Sequence, residues 1–238
     1  MSSIRAILTP QLRAAIRPKH FRTFQKPIQF QVAAMSAVSD AIVKDHRELK
    51  DYYNEVVNST DHDHQQRFGN QFVWELARHS IGEELVVYPA MEKYMGDKGK
   101  QLADEDRQEH HQVPSPPSSF HHFSNSLQVK ELLKVFQNLK TQDPEYVPKI
   151  KEIWGLLEKH IEEEENRDLP ALEQAIKSHD QETASLATQF ARTKQFVPTR
   201  SHPSAGENPP FESVMGLMAA PIDKLADMFR KFPDKSQL

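Results

Sequence analysis

Apolar residues recur every three or four positions along most of the chain after residue 38, which is the period of an amphipathic α-helix. The stripe in residues 39–58, "SDAIVKDHRELKDYYNEVVN", consists of Ile42, Val43, Leu49, Tyr53 and Val56. The stripe in residues 65–95 consists of Phe72, Leu76, Val86 and Ala90. We predict one helix in each stretch, with a kink at Pro89, because proline lacks the backbone N–H that an α-helix uses.

The second half of the chain repeats this pattern. A strong helix is predicted to begin near Pro144 or Pro148, since proline is tolerated in a first turn. Its stripe consists of Ile150, Ile153, Leu157, His160 and Glu164. A C-terminal extension, residues 181–238, contains two more helical stretches, 181–196 and about 211–230. In the last stretch, one face is expected to pack on the bundle or on a partner; it consists of Ile222, Leu225 and Phe229.

The composition narrows the class of protein. Only seven of the 238 residues are glycine and mean hydropathy is −0.69, which is typical of a charge-rich, all-α protein. No apolar run reaches the roughly 20 residues of a membrane span. The chain has no cysteine, so any metal must be held by nitrogen and oxygen ligands.

The first 35 residues differ in charge from the rest. They contain six basic residues and no acidic one, which leaves a formal charge of −10 on the remainder. Because nucleic acid is itself negatively charged, we do not expect the remainder to bind it. Wound as a helix, the segment "MSSIRAILTPQLRAAIRPKHFRTFQKP" separates isoleucine and leucine from arginine. This pattern is typical of a mitochondrial presequence, and the alternative is a disordered basic tail. We therefore expect a mitochondrial protein, with a cytoplasmic location as the alternative, and a bundle confined to residues 36–180.

Three of the predicted helices carry a histidine on the apolar stripe: His46, His79 and His160. Glu83 follows His79 by four residues and Glu164 follows His160 by four, so each pair shares the face that is expected to be buried. A single histidine on an apolar face is usually a core residue, and "IEEEEN" is also typical of a solvated acidic face. Burying several ionisable groups together is unfavourable unless they pair or bind a metal, so the coincidence favours a metal site.

The stretch "EHHQVPSPPSSFHHFSNSLQVKELL", residues 109–133, interrupts an otherwise continuous pattern. Without residues 113–128 the flanks join into one amphipathic helix, in which His110 faces the core and His111 faces solvent. The sixteen residues begin with valine, whose codons start with GT, and end with glutamine, which CAG encodes. We interpret them as a retained in-frame intron; the alternative is a genuine surface loop. The prolines predict that the third helix stops just after His110 and restarts near Ser126.

The pieces together resemble the hemerythrin-like HHE cation-binding family. They are "KDHREL", "HSIGEELVVYPAME", "DEDRQEH" and "KHIEEEE", and the tail, especially "APIDKLADMFRKFP", looks like that of fungal-type members. The resemblance implies an antiparallel four-helix bundle that holds two non-haem iron ions. The metal ligands that it implies are His46, His79, Glu83, His110, His160 and Glu164, with the two glutamates as bridges.

The chain departs from the oxygen-carrying hemerythrins, which use five histidines. Asp106 lies four residues before His110, and Lys130 lies four after it in the joined helix. Asp106 or Glu109 could add a ligand, or the position could be left to water. More carboxylate and less imidazole favours the oxidised metal, which argues against reversible oxygen carriage.

Three functions fit these features. The first is a di-iron protein that binds or senses iron and O2, peroxide or NO. The second is a di-iron enzyme that acts on peroxide or nitric oxide, or a protein that repairs iron centres. The third, a metal-free helical interaction protein, fits poorly with the buried His/Glu pairs. The absence of a recognisable substrate pocket or proton relay in the sequence favours binding over catalysis.

We predict that a fluorescent protein fused to residues 1–40 enters mitochondria, because the segment is basic and amphipathic. Imaging checks this, with a fusion to the acidic residues 41–80 as the control. A fusion of residues 1–40 that stays in the cytosol would contradict it.

We predict that a chain lacking residues 113–128 binds iron more tightly than the full chain, because His110 then lies in mid-helix, where packing fixes its rotamer. Iron content and thermal midpoint of the two forms measure the effect, and equal values would show a harmless loop. The intron interpretation is tested separately, since a dominant transcript that retains the segment contradicts it.

Overall fold

The computed structural model describes residues 37–110, 126–177, 180–200 and 211–238, and these residues contain helices and no β-strand. The all-α prediction is therefore confirmed. The predicted targeting segment, residues 1–35, lies outside the described residues. No helix in the described ranges is both long and apolar enough to cross a membrane.

Four helical rods form the bundle. The helices of the first two rods are α1 (Ala37–Asn58), α2 (His62–Gly82), a π-helical segment π1 (Glu83–Val87) and α3 (Tyr88–Met95). The third rod consists of α4 (Asp97–His110) and α5 (Ser126–Phe136). The fourth consists of α6 (Tyr146–Glu163), a second π-helical segment π2 (Glu164–Asp168) and α7 (Leu169–Ile176).

The rod boundaries follow from local chemistry. Asp61 caps α2, because its side chain accepts a hydrogen bond of 2.9 Å from the backbone N–H of Asp63. Gly96 ends α3 with a φ of +60°, which a residue with a Cβ adopts only with strain. Helix α4 is described up to His110 and α5 from Ser126, so the prediction that the third helix stops after His110 and restarts near Ser126 stays a prediction. Residues 111–125 lie outside the described part of the chain, so the intron interpretation stays a hypothesis.

Two apolar layers show that successive rods run antiparallel. Layer one contains the C-terminal half of α1, together with α2, α5 and α6; its members include Leu49, Phe72, Leu76, Phe136, Ile150 and Ile153. Layer two contains the N-terminal half of α1, together with π1, α3, α4 and α7; its members include Val38, Ile42, Val86, Met91, Leu102 and Leu172. The first and third rods begin in layer two and end in layer one, whereas the second and fourth rods begin in layer one and end in layer two. Successive rods therefore run antiparallel.

The C-terminal extension adds α8 (Asp180–Phe196) and α9 (Phe211–Asp227). Helix α8 packs against α1, α2 and π1, and its Phe190 belongs to layer two. The segment after α8 is tied to α9 by polar contacts, since the backbone N–H of Thr199 donates to Asp223 at 3.0 Å and the Thr199 hydroxyl donates to Asp227 at 2.6 Å.

The prediction that one face of α9 packs on the bundle is wrong for the described residues. Ile222, Leu225 and Phe229 are 70%, 61% and 85% exposed. The described polar contacts of α9 include those on its acidic side, where Asp223 and Asp227 meet Thr199 and Arg200. The alternative that this face meets a partner stays a prediction.

We predict that Gly69→Ala destabilises the bundle, because a Cβ there would lie 2.0 Å from the hydroxyl oxygen of Tyr146. That hydroxyl donates a buried hydrogen bond of 3.1 Å to the carbonyl of Gln65. The loss is expected to be about 1–3 kcal/mol in the free energy of unfolding, the usual range for overpacking. Chemical denaturation measures it.

Tyr146→Phe alone is expected to cost about 0.5–1.5 kcal/mol for the lost hydrogen bond. The double variant is expected to be more stable than Gly69→Ala alone, because the clashing oxygen is gone. Gly155→Ala is the control, since a Cβ at that exposed helical position meets no atom within 4 Å. Strictly additive losses in the double variant would contradict the proposed clash.

Candidate metal centre

A layer of ionisable side chains lies between the two apolar layers. All of its members are buried, and they are His46, His79, Glu83, Asp106, His160 and Glu164. On α1, for example, the histidine falls between Ile42 of layer two and Leu49 of layer one. The helical period that places the apolar residues inside therefore places these polar residues inside as well.

The second and fourth rods build their parts of this layer in the same way. In each, a π-helical segment begins at the glutamate that follows a histidine by four residues: Glu83 after His79, and Glu164 after His160. In each, a proline stands ten residues after the histidine, as Pro89 or Pro170. A proline cannot donate to the carbonyl four residues back, and the π segment accommodates this locally. The expected kink site at Pro89 thus lies two residues after a π-helical segment, in a rod that remains helical, and Pro170 has the same position after the second π-helical segment.

Four residues of the layer converge from three rods. Each of His46, His79, Glu83 and Glu164 offers a ligand atom, and the four atoms lie within 4.8 Å of one another. The Nε2 atom of His79 is 2.8 Å from Oε1 of Glu83, and Nε2 of His46 is 3.2 Å from Oε2 of Glu164. The two imidazole rings are 4.9 Å apart in a T-shaped arrangement.

At these distances the imidazole and carboxylate groups approach as ion pairs, without the direction of a hydrogen bond. Both Nε2 atoms, both carboxylate oxygens of Glu83 and Oε2 of Glu164 are buried atoms that lack a hydrogen-bond partner of suitable direction. Buried polar atoms without partners are rare in proteins and unfavourable. A metal cation among them would satisfy all five atoms, and imidazole nitrogen with carboxylate oxygen is a donor set that suits iron.

Carboxylates outside this group orient the two histidines. The Nδ1 atom of His46 is 2.9 Å from Oε1 of Glu165, and Nδ1 of His79 is 3.3 Å from Oδ2 of Asp45. An Nδ1–H that donates to a carboxylate leaves the lone pair on Nε2, directed at the centre of the group. This is the arrangement in which metal-binding histidines are usually held.

The electrostatics of the layer favour a positive charge. Burial would lower the pKa of His79, but the carboxylates of Glu83 and Asp45 outweigh it and raise that pKa well above its ordinary value. The pKa of His46 is raised too, because Glu164 and Glu165 outweigh its burial. Conversely, His79 outweighs burial in the case of Glu83 and lowers the pKa of that carboxyl group.

Asp106 extends the layer on the third rod. Burial raises the pKa of its carboxyl group to about 8, with further contributions from the charges of Asp168, Glu164 and Glu83. Its Oδ2 atom is buried and has no hydrogen-bond partner. Of the two carboxylates considered as additional ligands, Asp106 thus lies in the layer, whereas the side chain of Glu109 is outside the described part.

The structure brings together four of the six residues expected as ligands: His46, His79, Glu83 and Glu164. His160 is buried in the same layer, and its charge lowers the pKa of Glu83 and opposes the rise at Asp106. His110 is the last residue of α4, and its side chain lies outside the described part. The role of all six residues as metal ligands stays a prediction.

Sequence reasoning missed the orienting carboxylates Asp45 and Glu165. Both are sequence neighbours of expected ligands, in "DH" and "EE". Adjacent residues on a helix point about 100° apart, so a periodicity argument assigns such neighbours to different faces. Only the packing of α1 against the second and fourth rods brings them to the imidazole rings.

Comparison with known proteins agrees with the geometry. The family model described as hemerythrin HHE cation binding domain matches residues 37–172. A hemerythrin-like protein of Schizosaccharomyces pombe is 47% identical over 207 residues, which cover 87% of this chain and 93% of that protein. A DNA nickase of Nostoc sp. is 22% identical over 163 residues, which cover 68% of this chain and 40% of that protein. No solved structure matches the chain significantly.

We predict that Glu165→Gln weakens metal binding by about 10- to 100-fold, the usual effect of removing a carboxylate that orients a metal-binding histidine. The amide no longer supplies the charge that holds the His46 Nδ1–H. Competition of the purified protein with a calibrated chelator measures the affinity. Glu162→Gln, an exposed change on the same rod, is the control. Equal affinities for the two variants would show that His46 does not depend on this contact.

Proposed function

The chain belongs to the hemerythrin HHE cation-binding domain family, and on that premise we propose that its bundle holds a non-haem di-iron centre that binds or senses iron and O2 or a related small ligand. The single observation that carries this proposal is the group of buried donor atoms without hydrogen-bond partners on His46, His79, Glu83 and Glu164. In an interaction protein without a metal, these buried atoms would be unfavourable and would have no function.

The donor set supports two metal ions in preference to one. Both oxygens of Glu83 lack a hydrogen-bond partner, and Oε2 of Glu164 lacks one as well, so these two carboxylates are suited to bridging. The proposed terminal ligands are His46, His79, His110 and His160. Asp106, one turn before His110 on α4, is a further carboxylate in the same layer.

When bound, two irons supply coordination positions for a small ligand and one-electron redox chemistry. The protein residues supply the surroundings. Asp45 and Glu165 orient the imidazole rings. The two apolar layers lie on either side of the layer of ionisable residues and limit the access of water. A metal site with several carboxylate ligands favours the oxidised metal. Binding or sensing is therefore a better proposal than reversible oxygen carriage.

An enzyme that acts on peroxide or nitric oxide, or a protein that repairs iron centres, would use the same ligands. The low identity to a DNA nickase does not support nuclease activity here, since the match covers 40% of that protein. Peroxide consumption that disappears in His79→Ala would favour the enzyme over the binding protein.

We predict about two irons per purified chain, and a thermal midpoint that rises by roughly 5–10 °C with saturating iron. Metal that binds only the native state stabilises it by about 2.7 kcal/mol at a hundredfold excess over Kd, and each kcal/mol moves the midpoint of a protein of this size by about 2–4 °C. His79→Ala is expected to lose both the iron and the shift. Elemental analysis and calorimetry measure the two effects.

His64→Ala is the matched control, because His64 is also on α2 but pairs with Glu55 at 2.8 Å, away from the metal centre. A second comparison tests the predicted register: His110→Ala should lose iron, and His111→Ala should keep it. Wild-type protein that carries no iron after reconstitution would contradict the proposal.

A further inference from the structure

One buried cation lies beside the metal centre and comes from outside the four rods. The ammonium group of Lys194, on α8, contacts the carboxylates of Asp45 on α1 and Glu75 on α2. Lys194 is 9% exposed, and lysine is rarely buried unless it is paired. These contacts hold a helix of the C-terminal extension against the first two rods.

The contact leads directly to a proposed ligand. The same oxygen of Asp45 that meets Lys194 lies 3.3 Å from Nδ1 of His79, whose Nε2 faces the centre. Lys194, Asp45 and His79 thus form a continuous series of cation, carboxylate and imidazole.

The other oriented histidine has an equivalent series. Nδ1 of His46 meets Glu165 at 2.9 Å, and Glu165 meets the guanidinium of Arg47 at 2.7 Å. The two series differ in their environment, because the side chain of Arg47 is 56% exposed whereas that of Lys194 is 10% exposed. Water screens the exposed charge, so the buried one acts more strongly on its histidine.

Helix α8 also keeps water from this side of His79. The ring of Phe190, one turn before Lys194, lies 6.2 Å from the His79 ring in an edge-to-face arrangement. It approaches so closely because Gly82 has no side chain; a Cβ there would lie 2.7 Å from the Phe190 ring. The charge of Lys194 therefore acts through a low-dielectric region.

Asp45, Glu48 and Glu75 could by themselves form an acidic cation site, since their oxygens lie within 4.8 Å of one another. Lys194 contacts two of these three carboxylates. The cation of this acidic group is therefore supplied by the chain, and no second metal site is needed to explain it.

We propose that Lys194 is a positioning residue of the metal centre, which acts through Asp45 to limit the electron donation of His79 and thereby stabilises the reduced metal. The inference rests on the proposed iron centre and makes α8 a functional part of it. Without the ammonium group, Asp45 draws the His79 Nδ1 proton more strongly. The imidazole then donates more to the metal, and the loss of a positive charge also favours the oxidised state.

The test is redox titration of the iron-loaded full chain. At the ambient potential where wild-type iron is half oxidised, Lys194→Met is expected to raise the ratio of oxidised to reduced iron about tenfold. Lys194→Arg keeps the charge and is expected to restore a ratio within about threefold of wild type, since its contacts are charge-assisted as well. Arg192→Met, an exposed change on the same helix, is expected to leave the ratio unchanged.

A second variant covers the case in which Lys194→Met does not fold, since that change removes the cation that two buried carboxylates share. Lys194→Met combined with Glu75→Gln removes one of them and is expected to shift the ratio in the same direction but by less, because the lost negative charge of Glu75 offsets part of the lost positive charge. A wild-type ratio in folded, iron-loaded Lys194→Met with a lowered thermal midpoint would reduce Lys194 to a structural role. Iron-free wild-type protein would instead contradict the proposed function itself.

Discussion

The burial of a layer of ionisable side chains in the middle of a helical bundle is the constraint on which the rest of this structure depends. Each such group is unfavourable in an apolar core unless another group or a cation compensates it. The chain supplies partners for the outer atoms, as at Nδ1 of His46 and His79. The inner atoms face one another without hydrogen bonds, as Glu83 does with both oxygens. A bound cation completes the compensation, and so metal binding and folding are coupled.

The C-terminal extension belongs to this arrangement and is more than an addition to the bundle. Phe190 packs into apolar layer two, and Lys194 is buried against carboxylates of the first two rods. The matched region of the family ends at residue 172, before α8 begins. In this chain α8, a helix outside the four rods, thus packs beside the family's site. It changes the dielectric environment and the charge next to one histidine.

The second and fourth rods hold their parts of the site with the same local structure. A histidine, a glutamate one turn later, a π-helical segment that starts at the glutamate and a proline soon afterwards occur in both the second and the fourth rod. Proline removes one α-helical hydrogen bond, and the π segment re-routes the backbone without ending the helix. Because the rods bracket the centre, this shared geometry presents Glu83 and Glu164 from two sides.

The sequence alone determined the helices and their buried faces, because helical periodicity is a local property. It also determined that His46, His79, Glu83 and Glu164 face inward. The tertiary structure decided the contacts between distant segments: Asp45 and Lys194 are 149 residues apart, and His46 and Glu165 are 119 apart. It also decided that Ile222 and Leu225, near the end of α9, are exposed. Periodicity shows which face of a helix is buried, but only packing shows which residue of another helix meets it.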